Sequence, residues 1–542
     1  MLTSSPTTEP HNGASAAGPP ADLVFGSFSD DPPWVLDPDR LPWRKPLLAV
    51  RSVAQREVPQ LVTPRRFPGW RSVRVVREIG GALGMWAIRE RRSGDASASR
   101  AGLSRRLREA AETLGPTYIK LGQIISSGQG IFPSELVDEF KKCRDRVTPE
   151  PYHVVRAVLE EELRGPLEAT FAEFDREPLA AASIAQVHRA TLLDGTEVVV
   201  KVQRPNVGRL VHEDLRVMAW LAPLLVGRIP ITALANPPAL VEVFAHTINE
   251  ELDFRLEAEN MLDVALSFAQ LGQRGYVIPR PHPTLVTRRM LVMERLSGFV
   301  FDDVAGIRGA GIDTHTIIRT GMIGFLEGAL IHGIFHGDLH GGNLFVREDG
   351  RTALLDFGIV GRLSEPRRLA FLRLLIAGTM NDANSQLAAM RDLGALPRDV
   401  DLDAVARDLG FDAPAIDPTQ LTADELVAEL QRVTKALIGY GARIPKELLL
   451  FVKNLVFLDG AIATLAPDLD LFAEIQQLAL YFATTHGERI AQQVGMDPAA
   501  YQIDMSSVTR SFGVDSSVES FTHRELLERR ELISKRLAAR RR

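Results

Sequence analysis

The sequence predicts an α+β fold with two lobes, a small β-rich unit followed by a larger helical one. From about residue 170 the segments ATFAEFD, SIAQVHRATLL and TEVVVKVQ alternate or run in β-branched residues, and Asp194-Gly195 between the last two is a strong hairpin signal. Helical patterns return at about 207–227 and 238–268, and TLVTRRMLVMERLSG (284–298) then reads as one or two strands. From about residue 313 nearly every segment has helical periodicity, apart from short strands at NLFV and TALLDFG.

Length and proline content set the expected domain boundaries. A chain of 542 residues is too long for one ordinary compact domain, and ten of its 33 prolines lie within residues 1–60. A stretch of that composition cannot form a packed core, so we expect it to be disordered. The predicted units are a Pro-rich disordered N-terminus (1–65), a helical extension (66–150), a small lobe (151–298), a helical large lobe (299–500) and a basic C-terminal tail (501–542).

Charge, cysteine content and hydropathy restrict the partners and the location that we expect. The net charge of −6 gives no general case for nucleic acid as a partner. The single cysteine, Cys143, has no second thiol to pair with, which favours a reducing compartment. The first residues lack the features of a secretory signal, and no apolar run approaches the about 18 residues needed to span a bilayer. We therefore expect a cytoplasmic protein without a signal peptide or a transmembrane helix.

The C-terminal tail is a candidate for peripheral contact with the inner face of the cell membrane. Residues 524–542, RELLERRELISKRLAARRR, include eight basic and three acidic residues, and Leu526, Ile533 and Leu537 share one helix face. A basic amphipathic helix of this kind can lie on anionic lipid. A solvated chain end is the alternative interpretation.

Two motifs in the large lobe have the composition that phosphoryl transfer requires. In HGDLHGGN, Asp338 is followed five residues later by Asn343, and Asp356 of LLDFG comes thirteen residues after that. Transfer from ATP needs a carboxylate that positions or deprotonates the acceptor hydroxyl, and an Asn and a second Asp that hold Mg²⁺ on the phosphates. Protein kinases use an Asp and an Asn at this spacing, followed by D-F-G. The motifs therefore favour ATP and Mg²⁺ as ligands of the predicted two-lobe fold.

The small lobe supplies the lysine that such a site needs. Lys201 follows the hairpin turn within VVVKVQ, where an unpaired buried charge would be costly. The α- and β-phosphates of ATP and a glutamate on a helix would satisfy it. The segment NEELDFRLEAEN (249–260) offers several acids, among which Glu250, Asp253 and Glu257 share a helix face. A solvated acidic face is the ordinary interpretation of such a run.

The loop expected to cover the phosphates has an unusual composition. Kinases place G-x-G-x-x-G between the first two strands. This chain has PLAAASIAQVH there, with Ala180, Ala181 and Ala182 in place of glycines. Alanine does not reach left-handed torsions cheaply, so we expect a stiffer loop and nucleotide handling unlike that of an ordinary protein kinase.

Four features together resemble the UbiB-like atypical kinases, also called AarF-domain kinases. LGPTYIKLGQ is similar to the family's K-x-G-Q motif, with Lys120, Gly122 and Gln123 in place. AAAS (180–183) resembles its alanine-rich loop, and EELDFRLEAEN resembles its E-x-D motif, with Glu251 and Asp253. FHGDLHGGN and LDFG resemble its catalytic and metal loops. The resemblance covers residues from about 105 to 362 and less specifically extends to about 475.

The resemblance implies a protein-kinase-like two-lobe fold that binds ATP and Mg²⁺, preceded by an N-terminal helical extension with the K-x-G-Q motif, and it implies roles for individual residues. Asp338 would be the catalytic aspartate, Lys201 would contact phosphates and pair with Glu257, and Asn343 and Asp356 would hold the metal. The K-x-G-Q helix would pack over the active site, with its lysine held there by the E-x-D residues, and would block large protein substrates. The expected ATP-binding residues are Ala180, Ala181, Ala182, Ser183, Lys201, Met293 and Glu294, and the expected regulatory residues are Lys120, Gly122, Gln123, Glu251 and Asp253. The family is linked to isoprenoid quinone biosynthesis or lipid metabolism at membranes, so the acceptor would be a small molecule, a lipid or a quinone precursor.

Three residues depart from the family pattern. Val199 stands where the family usually has Ala, at a position that faces adenine in kinases, which implies a tighter pocket. Leu339 and Gly341 stand where the family usually has proline, which predicts a more flexible catalytic loop.

Two other functions compete with an atypical kinase or ATPase. HGDLHGGN would also suit an aminoglycoside- or choline-type small-molecule phosphotransferase, although that class lacks K-x-G-Q and the alanine-rich loop. A nucleotide-binding pseudokinase that scaffolds a biosynthetic complex is the third interpretation. The presence of every expected catalytic residue argues against it.

Overall fold

A computed structural model of the chain shows a mixed fold of helices and strands. It describes residues 41–63, 68–91, 96–126, 133–143, 148–225, 237–273, 275–380, 382–410, 432, 436–437, 439–442, 445–495, 518 and 520–539. The N-terminal part is helical, with α1 Leu47–Leu61, α2 Trp70–Arg89, α3 Ala96–Leu114, α4 Pro116–Ser126, α5 Ser134–Phe140 and α6 Tyr152–Leu163. The predicted helical extension is therefore helical throughout most of its described length.

The expected disorder of residues 1–65 is wrong for the part that the structure describes. Residues 1–40, where most of the prolines lie, are outside the described residues. Leu47–Leu61 forms α1, which buries Leu47 and Val58 and packs against a later helix. Arg51 on its outer side pairs with Glu259 at 2.6 Å. The predicted disordered segment therefore extends too far toward the C-terminus. Proline content alone did not reveal that Leu47–Leu61 has an apolar face that forms a helix.

An antiparallel sheet follows the helical extension. Its strands are β1 Phe171–Phe174, β2 Ala180–Ala181, β3 Ala185–Leu192, β4 Glu197–Gln203, β6 Pro281–Val286 and β7 Met290–Glu294, and β5 Tyr276–Val277 belongs to a second sheet. The order in the first sheet is β1-β3-β4-β7-β6, with β2 on β3. Asp194-Gly195 joins β3 to β4 as the sequence predicts, and Lys201 lies on the central strand β4 opposite Val187 and Leu291.

In the described part of the chain, three helices lie between β4 and β5. They are α7 Val207–Leu225, α8 Pro237–Glu251 and α9 Phe254–Leu271. The sequence pattern at 238–268 predicts one continuous helical segment, but in the structure the helix is interrupted at Leu252 and Asp253. Asp253 has extended torsions and accepts a hydrogen bond from the backbone N–H of Arg255, so it caps a new helix. Because of this interruption, Glu251 lies on α8 and Glu257 lies on α9.

The rest of the chain is a helical body with short strands that carry the loops. After β8 Phe299–Val300 come α10 Val304–Gly309 and α11 Thr314–Glu327, which ends in a π-helical turn, Gly328–His332. The short strands are β9 Ile334–His336, β10 Leu344–Val346, β11 Thr352–Leu354 and β12 Val360–Arg362. The later helices are α12 Glu365–Thr379, α13 Ala383–Leu393, α14 Leu402–Leu409, α15 Lys446–Leu465, α16 Leu471–Val494 and α17 His523–Ala539.

Helix α15 is the one helix in the described part of the chain that is long and apolar enough to cross a membrane, a feature that the sequence analysis overlooked. Such a single helix is weak evidence of a span, because core helices pass the same test. Here Leu450, Phe451 and Leu458 are buried among the aromatic and aliphatic side chains of the helical body. Part of α15 therefore packs in the helical body, whereas Val452, Leu455 and Val456 of the same helix are exposed.

The C-terminal helix α17 packs on the helical body. Leu526, proposed above as part of a lipid-facing stripe, is buried in a cluster with Leu471, Phe472 and Phe521. His523 and Arg530 both contact Asp459 of α15, at 3.1 and 2.7 Å. The expectation for Leu526 is therefore wrong, while the side chains of Ile533 and Leu537 lie outside the described part of the chain.

Candidate active site

Lys201 and Glu257 form the ion pair at the centre of the site. Lys201 Nζ lies 2.8 and 3.0 Å from the two carboxylate oxygens of Glu257, and both side chains are nearly buried. The same Nζ is 3.3 Å from Asp356 Oδ1 and lies over the ring of Phe254. Burial alone would lower the pKa of Lys201, but the carboxylates of Asp356 and Glu257 outweigh it and raise that pKa above its usual value. The lysine is therefore fully charged in a partly enclosed cleft.

Asp356 is held in a backbone conformation that non-glycine residues seldom adopt. Its φ is +56°, in the left-handed region, and such outliers cluster at functional sites. Oδ1 accepts a hydrogen bond from the backbone N–H of Gly358 at 3.1 Å, and Asn260 donates to the carbonyl of Phe357 at 2.8 Å. Burial would raise the pKa of Asp356, but Lys201 and Lys120 outweigh it and hold that pKa below the usual range. The D-F-G segment is thus fixed with its carboxylate ionised.

The loop predicted above to be catalytic, residues 336–343 and called the catalytic loop below, carries Asp338 and Asn343. His336 is buried, its Nδ1 accepts from the backbone N–H of Asp338 at 3.1 Å, and its Nε2 therefore donates to the carbonyl of Leu355. Burial lowers the pKa of His336, in keeping with this neutral tautomer. Asn343 Nδ2 donates to the carbonyl of Asp338 at 3.1 Å, which turns its Oδ1 away from the loop. His336 and Asn343 thus brace the loop on both sides of Asp338.

The donor set fits a magnesium ion held jointly with phosphates. Asn343 offers a side-chain carbonyl oxygen and Asp356 a carboxylate, both hard oxygen donors of the type that Mg²⁺ prefers. Within the described residues there is no group of three or more His, Cys, Asp or Glu side chains that could hold a metal by themselves. Magnesium in ATP-dependent sites usually takes only one or two protein ligands and completes its shell with phosphates and water. Two donors are therefore sufficient for such an ion.

Lys120 of the K-x-G-Q segment reaches this cleft from helix α4. Its Nζ lies 3.0 Å from Glu251 Oε2 at the end of α8. Gly122 faces the ring of Phe140 on α5 so closely that a Cβ would collide with it, which explains a glycine at this helical position. Gln123 lies on the same helix and accepts at its carbonyl from Ser126 Oγ at 2.8 Å.

Only one of the two E-x-D carboxylates engages this lysine. Asp253 caps α9 and binds the guanidinium of Arg255 at 2.6 and 2.9 Å. The expectation that both acids hold Lys120 is therefore wrong for Asp253. Burial, together with the charges of Asp356 and Asp338, raises the pKa of Glu251 although Lys120 lowers it.

The alanine-rich loop is a tight hairpin. Ala180 and Ala181 pair with Val187 and Gln186, and the backbone N–H of Ala182 donates to the carbonyl of Ala185 at 2.8 Å. The carbonyl of Ala182 accepts from Arg204 Nε at 3.0 Å. Ser183 at the turn is buried. The N–H of Ala182 is therefore used within the hairpin, and the Ala182 carbonyl is bound by the side chain of Arg204.

Met293 and Glu294 lie at the end of β7, beside the strand that carries Lys201. Met293 pairs with Val199, the residue that stands in place of the family's alanine. Both side chains are buried, and the Glu294 carboxylate accepts from the backbone N–H of Arg280 at 3.4 Å. The structure thus places both residues one strand away from Lys201 in the same sheet.

Two further residues of the site, Lys453 and Asn454 on α15, are not predicted by the sequence motifs. Lys453 Nζ makes a short contact with Asp338 Oδ1. Asn454 is completely buried, donates to the carbonyl of His336 and accepts from the backbone N–H of Leu339 at 3.3 Å. A Lys-Asn pair inside the otherwise apolar segment LLLFVKNLVFL was the available signal, because buried polar groups need partners. No spacing rule connects them to a loop more than a hundred residues earlier.

Comparison with known proteins identifies the family. A family profile described as the ABC1 atypical kinase-like domain matches residues 142–390. The chain is 38% identical over 378 residues to the uncharacterized protein Rv0647c of Mycobacterium tuberculosis, covering 68% of this chain and 76% of that one. It is 32% identical over 394 residues to an uncharacterized aarF domain-containing protein kinase of Arabidopsis thaliana (68% and 73% covered) and 31% identical over 410 residues to the probable protein kinase UbiB of Aliivibrio fischeri (74% and 73% covered).

The matched region contains the structural features described above. Residues 142–390 include the sheet with Lys201, the helix with Glu257, the catalytic loop and the D-F-G segment. The aligned length reaches about three quarters of each of these relatives. The chain therefore belongs to the ABC1 atypical kinase-like family, together with proteins named UbiB and aarF domain-containing kinases.

Proposed function

We propose that this protein is a Mg²⁺-dependent atypical kinase or ATPase that transfers the γ-phosphoryl group of ATP to a small acceptor or to water. The observation that supports it best is that Lys201 contacts both Glu257 and Asp356, while Asn343 contacts the backbone of Asp338, and that Lys120 is close enough to sense the charges of Asp338 and Asp356. Phosphoryl transfer depends mainly on positioning and charge stabilisation, and these side chains supply both. The relatives named as kinases support the same class of reaction.

Each residue has a role that follows from its contacts. Lys201 would bind phosphate oxygens while Glu257 holds it in place, and Asn343 and Asp356 would hold Mg²⁺ on the phosphates. The bound metal supplies charge neutralisation. Asp338 would accept the hydrogen bond of the attacking hydroxyl. The hydroxyl oxygen bonds to the γ-phosphorus as the bond to the bridging oxygen breaks, ADP leaves with that electron pair, and Asp338 accepts the hydroxyl proton and releases it to water.

The position of helix α4 favours a small acceptor. Lys120 reaches Glu251 beside the D-F-G segment, where Glu251 also lies against Gly358. We propose that α4, held close to the D-F-G segment by this ion pair, limits the room for a bulky protein substrate. We propose a small-molecule, lipid or quinone-precursor acceptor, with a role in isoprenoid quinone or lipid metabolism at the cytoplasmic membrane surface. The relatives named UbiB and the resemblance of the motifs support this assignment.

Two substitutions test the enzyme class. Asp356→Asn removes the charge of a metal ligand and should weaken Mg-ATP binding by roughly tenfold or more. Asp338→Asn should leave Mg-ATP binding intact but lower the rate of phosphate release by roughly 10²- to 10⁴-fold. Asp349→Asn, which changes a partly exposed carboxylate paired with Arg351, is the matched control and should behave as the wild type.

Calorimetry and a phosphate-release assay measure these effects. If Asp338→Asn hydrolyses ATP at the wild-type rate, the catalytic role of Asp338 is refuted. Nucleotide binding without any turnover in the wild type would favour a pseudokinase scaffold. Lipid and quinone profiling of a deletion strain, complemented with wild type or Asp356→Asn, tests the pathway; unchanged profiles would refute it.

A further inference from the structure

Lys453 contacts the carboxylate proposed above to be catalytic, although it lies on a helix far along the chain. Its Nζ lies against Asp338 Oδ1, and both side chains are 18% exposed. Both side chains are therefore mostly shielded from bulk water but remain partly accessible. A charge pair in such a place interacts more strongly than one on an open surface.

The helix that carries Lys453 is fixed to the catalytic loop by the next residue. Asn454 binds the backbone on both sides of Asp338, through the carbonyl of His336 and the N–H of Leu339. Consecutive residues on a helix project about 100° apart, so one side chain enters the core while the other reaches the cleft. Lys453 is thus held in register with Asp338 by a buried amide, not by a flexible loop.

Leu339 is part of this arrangement. Its backbone N–H donates to Asn454 Oδ1, a bond that a proline at this position could not make. Its side chain is buried in the helical body. The substitution that predicted a more flexible loop therefore provides an additional attachment between the loop and α15.

A second cation acts on Asp338 from another element. Lys120 on α4 and Lys453 on α15 together lower the pKa of Asp338 below its usual range, although burial opposes them. Lys120 has its own partner in Glu251. Lys453 is the cation whose contact with Asp338 is direct.

We propose that Lys453 is a positioning residue for phosphoryl transfer: it holds the Asp338 carboxylate in the orientation that receives the acceptor hydroxyl. This inference rests on the proposed function. It assigns a part of the active site to helix α15, which lies beyond the matched kinase-like region of residues 142–390. It also predicts that the effect of Lys453 on turnover passes through Asp338.

The alternative is that Lys453 only attaches α15 to the fold. The chain offers a matched control for that alternative, because Lys446 lies two turns earlier on the same helix and pairs with Glu250 at 2.9 Å. Lys446→Met removes a lysine–carboxylate pair of α15 that does not include Asp338. Lys453→Met removes the pair at Asp338, and Lys453→Arg keeps a cation there.

The experiment measures ATP hydrolysis and Mg-ATP affinity of the full chain with each substitution. Lys453→Met should lower kcat at least tenfold, while the KM for ATP and the Mg-ATP dissociation constant stay within twofold of the wild type. Lys453→Arg should recover at least a third of the wild-type kcat. Lys446→Met should leave kcat unchanged. Thermal denaturation of all variants shows whether they remain folded.

A double substitution separates positioning from an independent contribution. If Lys453 acts through Asp338, Asp338→Asn with Lys453→Met should be no slower than Asp338→Asn alone, because residues acting as a unit are strongly non-additive. If the fold-reduction of kcat in the double variant equals the product of the two single reductions, the inference is overturned. It is also overturned if Lys453→Met has the wild-type kcat, or if Lys446→Met lowers kcat as much as Lys453→Met does. A folded wild type without turnover would overturn the proposed function and this role together, whereas turnover retained in Lys453→Met would overturn only this role.

Discussion

Lys120 and Glu251 join two parts of the chain more than a hundred residues apart through an ion pair of 3.0 Å. Lys120 extends from α4 in the helical extension, and Glu251 ends α8 beside the D-F-G segment. The side chains are 14% and 6% exposed, and Glu251 Oε1 is buried without a hydrogen-bond partner among the described residues. The ion pair with Lys120 is therefore what offsets the cost of burying the charge of Glu251.

Breaking this pair should destabilise the protein. Lys120→Met leaves a buried carboxylate with little compensation, so we expect the free energy of unfolding to fall by about 2–4 kcal/mol. Urea denaturation followed by circular dichroism measures the change. In a Glu251→Gln background the same substitution should cost much less, because no buried charge is left unpaired. Equal costs in the two backgrounds would show that the ion pair is not the cause.

Gly122 should not tolerate a side chain, because a Cβ there would collide with the ring of Phe140. Overpacking of this kind costs about 1–3 kcal/mol, so Gly122→Ala should lower the urea midpoint. Phe140→Leu in the same chain should recover part of the loss. Gly84→Ala in α2 is the control, since a Cβ there meets nothing within 4 Å and alanine favours a helix. A Gly122→Ala protein as stable as the Gly84→Ala protein would contradict the packing argument.

Local patterns predicted the parts of the site that are close together in sequence. The hairpin at Asp194-Gly195 placed Lys201 on a central strand, and the spacing of Asp338, Asn343 and Asp356 anticipated one loop cluster. In both cases the geometry depends on a turn or loop within about twenty residues. Such features are encoded by short-range torsion preferences and by strand alternation, which a single sequence displays directly.

The remaining parts of the site depend on tertiary packing. Lys453 and Asn454 reach the catalytic loop only because α15 packs against it, and nothing in their spacing shows that contact. Asp253 matches a motif, yet its short side chain caps α9, a role that depends on where the preceding helix breaks. Both outcomes depend on interactions between distant segments, which override local propensity.

The alanine-rich loop should control the preference between ATP and ADP. Ala181 pairs with Gln186 in the hairpin, and Ala181→Gly increases the range of backbone torsions that this position can adopt. The loop should therefore approach the phosphates more freely. We expect the ratio of ATP to ADP affinity to change by at least threefold, measured by calorimetry with both nucleotides. Ala172→Gly, at an exposed position of β1 in the same sheet, controls for weakening of the sheet alone. An unchanged ratio in Ala181→Gly would contradict this role of the loop.

His282, on strand β6 of the six-stranded sheet, should make the stability of the protein depend on pH. Burial, with a smaller contribution from Arg280, lowers the pKa of His282 to about 4, although Asp194 opposes it. Its Nδ1 accepts from the backbone N–H groups of Thr284 and Leu285 at 3.2 and 3.1 Å, so protonation would remove an acceptor from two donors.

The sign of the effect follows from the two pKa values. An unfolded histidine titrates near 6.5. Between that value and about 4 the unfolded chain binds a proton that the folded chain refuses, so the free energy of unfolding falls as the pH falls. We expect a loss of about 1–3 kcal/mol from this residue between pH 7 and pH 4, because the ring is partly exposed. His282→Asn keeps a side-chain acceptor but does not titrate, so the difference in stability between wild type and variant should shift in favour of the variant as the pH falls. Urea denaturation at pH 7, 6 and 5 measures it, with His153→Asn on the exposed side of α6 as the control; parallel pH curves for wild type and His282→Asn would contradict the prediction.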